Sequence, residues 1–97
     1  MIVKTLPEFD VWLDGLKDRM TIMRLKTRLR KAMLGNLGDS KPVGDGVHEM
    51  REHFGSGWRM YYIQRGSILI VMLGGGNKST QAADITKAVK LAATLED

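Results

Sequence analysis

Hydrophobic positions in the first third of the chain follow two periods. Ile2 and Val3 open a short β-branched run, and residues 2–5 are read as a strand. Behind Pro7, whose missing N–H costs nothing in a first helical turn, Phe9, Trp12, Leu13 and Leu16 recur at helical spacing. This first helix weakens at Gly15 and ends near Asp18. A second helix is predicted over 20–34, with Ile22, Leu25, Leu29, Ala32 and Met33 inward and Arg24, Arg28 and Lys31 as an outward stripe, stopped by Gly35-Asn36.

Beyond that point the period becomes that of strands. Residues 35–46 hold four glycines, Asn36, two aspartates and Pro42, and read as an exposed loop. Strands are predicted over 47–52 and 58–64, on either side of Gly55-Ser56-Gly57, and over 67–73 after the turn at Arg65-Gly66. Residues 68–73 are apolar at every position, which predicts a central strand covered on both faces. Gly74-Gly75-Gly76 then reads as a corner into a last helix, capped by Ser79 or Asn77 and running to about residue 95, with Ala82, Ile85, Val89 and Ala92 as its packing face. One strand, two helices, three strands and one helix make an α+β domain with a three-stranded antiparallel meander, and no internal repeat competes with that order.

Composition narrows the class. A chain of 97 residues that is 43% hydrophobic builds one core, so residues 1–97 are read as a single domain. Without cysteine it forms no disulfide framework and no thiolate metal site, and a reducing cytoplasm is the natural compartment. No signal-peptide pattern opens it and its longest apolar run is too short for a bilayer, so no membrane partner is expected. The net charge of +4 is uneven: residues 17–51 hold nine Lys or Arg against four acids. A polyanion would meet that side first, although a charge run is more commonly a solvated helix face.

Candidate chemistry lies in the strands. Alternation places Glu49, Arg51 and His53 on one face and Arg59, Tyr61 and Ile63 on one face of the next strand, so pairing across the glycine turn lets Arg51 and Arg59 converge. Lys78 arrives at the start of the last helix, where backbone N–H groups favour an anion. These three cations suit a phosphate. Trp58, Tyr61 and Tyr62 offer stacking surfaces for unpaired bases, with Tyr62 expected in the core and Tyr61 left for RNA, beside Arg24, Arg28 and Lys31. His53 is the best general base or acid, since an unperturbed imidazole titrates near neutral pH, although a lone histidine beside a turn is more often a surface residue. Gln81 and Asp84 are read as support, capping and tethering the last helix.

Four blocks together resemble a known family: Gly35-Asn36-Leu37-Gly38-Asp39, Gly46-Val47-His48-Glu49-Met50-Arg51, Gly55-Ser56-Gly57-Trp58-Arg59-Met60-Tyr61-Tyr62, and Gly74-Gly75-Gly76-Asn77-Lys78-Ser79-Thr80-Gln81 with Asp84-Ile85. In that order the chain is similar to the phage-derived addiction-module killers, close to the HigB toxins of the RelE/ParE superfamily. The resemblance implies a toxin of a type II toxin-antitoxin module, silenced by a helix-turn-helix antitoxin, with no sequence-specific DNA binding by the toxin alone. It further implies ribosome-dependent cleavage of mRNA without metal or other cofactor, in which a ribose 2′-OH attacks the adjacent phosphate and Arg51, Arg59 and Lys78 meet the phosphorane charge. Many RNA-cleaving relatives carry a tyrosine or histidine in the C-terminal helix or tail. This chain has neither after Tyr62, which leaves a ParE-like gyrase inhibitor and an idle RNA- or ribosome-binding module as alternatives.

Overall fold

The computed structural model describes residues 1–95. Along the chain run β1 (Ile2–Thr5), α1 (Pro7–Asp14), α2 (Arg19–Met33), β2 (Ser40–Gly44), β3 (Val47–Arg51), β4 (Trp58–Arg65), β5 (Leu69–Asn77), a 3₁₀ turn (Lys78–Thr80) and α3 (Gln81–Ala93). The strands form one mixed sheet in the order β1-β5-β4-β3-β2, with β1 parallel to β5 and every other neighbour antiparallel. The protein is therefore α+β, with five strands and three helices.

Each sheet face is closed by helix. Phe9 and Leu13 of α1 and Leu25, Leu29 and Ala32 of α2 bury Met50, Met60, Tyr62, Ile70 and Met72. On the other face Ala88 of α3, with the partly buried Ile85 and Val89, covers Val47, Tyr61, Ile63 and Leu73. A hydrophobic run without alternation is covered on both faces over residues 69–73 of β5, whereas Ile68, expected in the same strand, precedes it and is exposed. A bulge shifts the β4–β5 register between Tyr61↔Gly74 and Tyr62↔Met72. Asp18 separates the first two helices, its carboxylate accepting from the Met20 N–H at 3.2 Å and the Thr21 hydroxyl at 2.8 Å.

Three expectations are corrected. The loop at 35–46 contains a strand, β2, which extends the meander to four strands; Pro42 and Gly44 are tolerated because β2 is an edge strand whose pairing with β3 slips between those two positions. The three glycines at 74–76 are no corner: they stay in β5, opposite Tyr61, Met60 and Arg59. A Cβ at Gly75 would overlap the Trp12 ring, and one at Gly76 would overlap the Asp84 carboxylate, so the missing side chains let α1 and α3 close on opposite faces. Met33, expected inward, is exposed at the end of α2. No helix among the described residues is long and apolar enough to cross a membrane.

Candidate functional site

The end of β3 gathers the candidate residues. Arg51 and Arg59 are cross-strand partners, so the convergence expected from the glycine turn is present in the register. Gly57 in that turn has φ +79°, and Lys78 Cβ and Arg59 Nη1 lie 3.2 and 3.8 Å from where its side chain would begin. The Lys78 N–H also reaches the Ser56 carbonyl, at 3.4 Å. The three predicted cations therefore stand along one edge, in the order Arg51, Arg59, Lys78.

Their availability differs sharply. Lys78 is exposed. Arg59 is buried, its Nη1 donating to the carbonyls of Glu52 at 3.1 Å and Trp58 at 3.0 Å, so it fastens the β3–β4 connection as well as carrying charge. Its Nε lies 3.9 Å from the fully buried Glu49 carboxylate, which accepts from Gln81 Nε2 at 3.0 and 3.3 Å. Gln81 thus tethers α3 to β3, as the sequence suggested. Asp84 accepts from the Thr80 hydroxyl at 2.5 Å and sits over Gly76.

Arg51 is held by Asp39. The Asp39 Oδ1 accepts from Arg51 Nη2 at 2.8 Å and Nε at 3.2 Å, while its Oδ2 lies 2.8 Å from His53 Nε2. Hydrogen bonds from Arg51 first, and from His53 second, bring the Asp39 pKa down from 3.8 to about 2. An ionised Asp39 only accepts, so a neutral His53 carries its proton on Nε2 and presents Nδ1 as the free basic nitrogen. The imidazole is 69% exposed, open to a substrate on that side.

Two predicted RNA contacts are not on the surface. Tyr61, expected to stack on bases, is fully buried beneath α3, because β4 is covered on both faces just as β5 is. Burial, with the negative charges of Glu49 and Asp84, pushes its phenol pKa up, and its hydroxyl has no partner among the described residues. Arg28 is not an outward cation either: it is 8% exposed and bound on four sides. Its Nη1 donates to the Arg51 carbonyl at 2.8 Å and Glu52 Oε1 at 2.7 Å, and its Nη2 to the carbonyls of Leu37 at 3.0 Å and Asp39 at 2.8 Å. Arg24 and Lys31 do remain exposed, flanking a hollow of about 490 Å³ between α2 and the β3–β4 connection that His53 and Phe54 also line.

Sequence reasoning missed Asp39, which orients both Arg51 and His53, because an aspartate between glycine and serine reads as turn chemistry. It also missed Glu52 and the buried Glu49; the placement of Glu49 two residues before Arg51, on the same strand face, was the available signal for the latter.

No family model matches the sequence. The chain is 40% identical over 93 residues to an uncharacterized protein of Haemophilus influenzae, a match covering 96% of this chain and 94% of the relative.

Proposed function

We propose that this chain, which belongs to one family with that Haemophilus influenzae protein, is the toxin of a type II toxin-antitoxin module with a RelE/ParE-like fold, and that it cleaves mRNA on the ribosome. The observation that carries the reading is the Asp39 carboxylate shared between Arg51 and His53, each at 2.8 Å. It orients an exposed imidazole beside a guanidinium, with Lys78 further along the same edge, which supports the reading of His53 as a base.

His53 Nδ1 takes the proton of a ribose 2′-OH, and the freed oxygen bonds to phosphorus. Arg51 and Lys78 meet the added negative charge of the phosphorane. The P–O5′ bond then breaks, leaving a 2′,3′-cyclic phosphate and a 5′-oxygen that takes its proton from solvent. Arg59 adds positive potential from behind the β3–β4 connection while holding it in place. A cytoplasmic bacterial or phage setting and a helix-turn-helix antitoxin complete the proposal.

Two observations favour a non-cleaving, gyrase-binding protein instead. Arg59 is 7% exposed with its Nη1 committed to carbonyls, and α3 supplies no tyrosine or histidine. Primer extension on mRNA from cells expressing the chain separates the two: discrete breaks support the nuclease, whereas intact mRNA with fragmented chromosomal DNA would replace it with gyrase poisoning.

A further inference from the structure

The hollow beside α2 has a construction that the cleavage chemistry does not require. Arg24, Thr27, Arg28 and Lys31 line it from α2, and Glu52, His53 and Phe54 line it from the β3–β4 connection. The Arg24 guanidinium carbon lies 4.4 Å from the centre of the Phe54 ring, so the ring holds the cation over its face. A guanidinium supported in this way offers its outer surface to a further planar group, and nucleobases stack on arginine planes as they do on aromatic rings. Lys31 provides an exposed ammonium on the same wall.

Glu52 gives the hollow a direction. Its Oε1 accepts from Arg28 Nη1 at 2.7 Å, which pins the carboxylate, and its Oε2 accepts no hydrogen bond among the described residues. The side chain is 24% exposed, so that oxygen is within reach of a ligand. A carboxylate accepts and never donates, so it selects a base edge that presents N–H groups. Guanine presents two adjacent donors, N1–H and the 2-amino group. Uracil presents one, flanked by two carbonyl oxygens that a carboxylate repels.

We infer that this hollow is a nucleobase subsite taking a guanine of single-stranded RNA, stacked on Arg24 over Phe54, its donor edge on Glu52 and its phosphate toward Lys31. His53 lines the same hollow and carries the proposed base, so the guanosine lies next to the scissile phosphate. The inference deepens the nuclease reading and rests on it for its biological meaning, while nucleotide binding itself is measured without cleavage.

The test is a titration of the isotope-labelled full chain with guanosine 5′-monophosphate and, separately, uridine 5′-monophosphate, followed by amide and side-chain NMR shifts. The expected result is shifts centred on Arg24, Phe54 and Glu52, with guanosine monophosphate bound about tenfold more tightly, the worth of one well-placed polar contact to a base edge. Glu52→Gln should abolish that preference. Arg24→Ala, at an exposed position, should weaken both nucleotides about tenfold through lost stacking and remains readable should the Glu52 variant not fold. Equal affinity for the two nucleotides, or shifts confined to Arg51 and Lys78, overturns the inference. Cleavage of mRNA without guanosine monophosphate binding here overturns the subsite alone, and binding without cleavage overturns the nuclease reading alone.

Discussion

Replacing Arg28 with alanine should destabilise the protein far more than any exposed cation on α2. Its guanidinium ties together three carbonyls, of Leu37, Asp39 and Arg51, and the Glu52 carboxylate, all within 3.0 Å. Removing it leaves Glu52 unpaired in a half-buried site and frees the segment that carries Asp39. Breaking a buried charged pair of this kind costs about 3–5 kcal/mol, a large share of the roughly 5–15 kcal/mol that holds a domain folded. Lys31→Ala, one turn further along the helix and exposed, should stay within about 0.5 kcal/mol. At about 4 °C or more per kcal/mol for a domain of this size, the Arg28 variant should melt at least roughly 12 °C lower. Urea unfolding followed by tryptophan fluorescence, reported by Trp12 and Trp58, gives both values. An Arg28→Ala loss under about 1 kcal/mol, indistinguishable from Lys31→Ala, would refute the staple and return Arg28 to the solvated face.

Three further outcomes follow from individual contacts. Asp39 is ionised in the fold down to a pKa of about 2 against an ordinary 3.8, so its contribution is present above that ordinary value and lost as pH falls toward about 2; Asp39→Asn should flatten the acid limb of stability against pH, measured by urea midpoints, and should also slow cleavage at neutral pH by releasing His53. Gly75→Ala should cost about 1–3 kcal/mol, because the added methyl meets the Trp12 ring, and an unchanged melting temperature would disprove that close approach. Tyr61→Phe should leave the unfolding midpoint unchanged or raise it, since the buried hydroxyl it removes has no partner among the described residues; a clear loss of stability would reveal a bond to that oxygen.

Where periodicity was strong, the fold was legible: Phe9 and Leu13, Leu25 and Leu29, and Ile70, Met72 and Leu73 of the apolar run all became core, although Ile68 at its start is exposed. Legibility failed where glycine or proline serves packing instead of turning the chain. β2 carries Pro42 and Gly44, and β5 carries three glycines, of which Gly75 and Gly76 leave room for Trp12 and Asp84 from other parts of the chain. Arg28 lies on the helical stripe with Arg24 and Lys31, yet its length lets it leave that stripe for the carbonyls of a loop nine to eleven residues on. The site was half legible. Alternation and the glycine turn let Arg51 and Arg59 converge, with the register left to the structure, whereas Asp39, the group that turns Arg51 and His53 into one unit, belongs to a different segment and had no periodic mark.

The central claim is tested most directly by the chemistry of the mRNA ends. Purified protein is added to translating ribosomes, and the fragments are assayed for 2′,3′-cyclic phosphate and 5′-hydroxyl termini, for the wild type and for His53→Ala. With His53 as the base, the wild type yields those termini at discrete positions and the variant loses them by about 10²–10⁴-fold, the usual worth of a positioned general base, while keeping its unfolding midpoint. Fragments with the same ends, released at the same rate by His53→Ala, would contradict it.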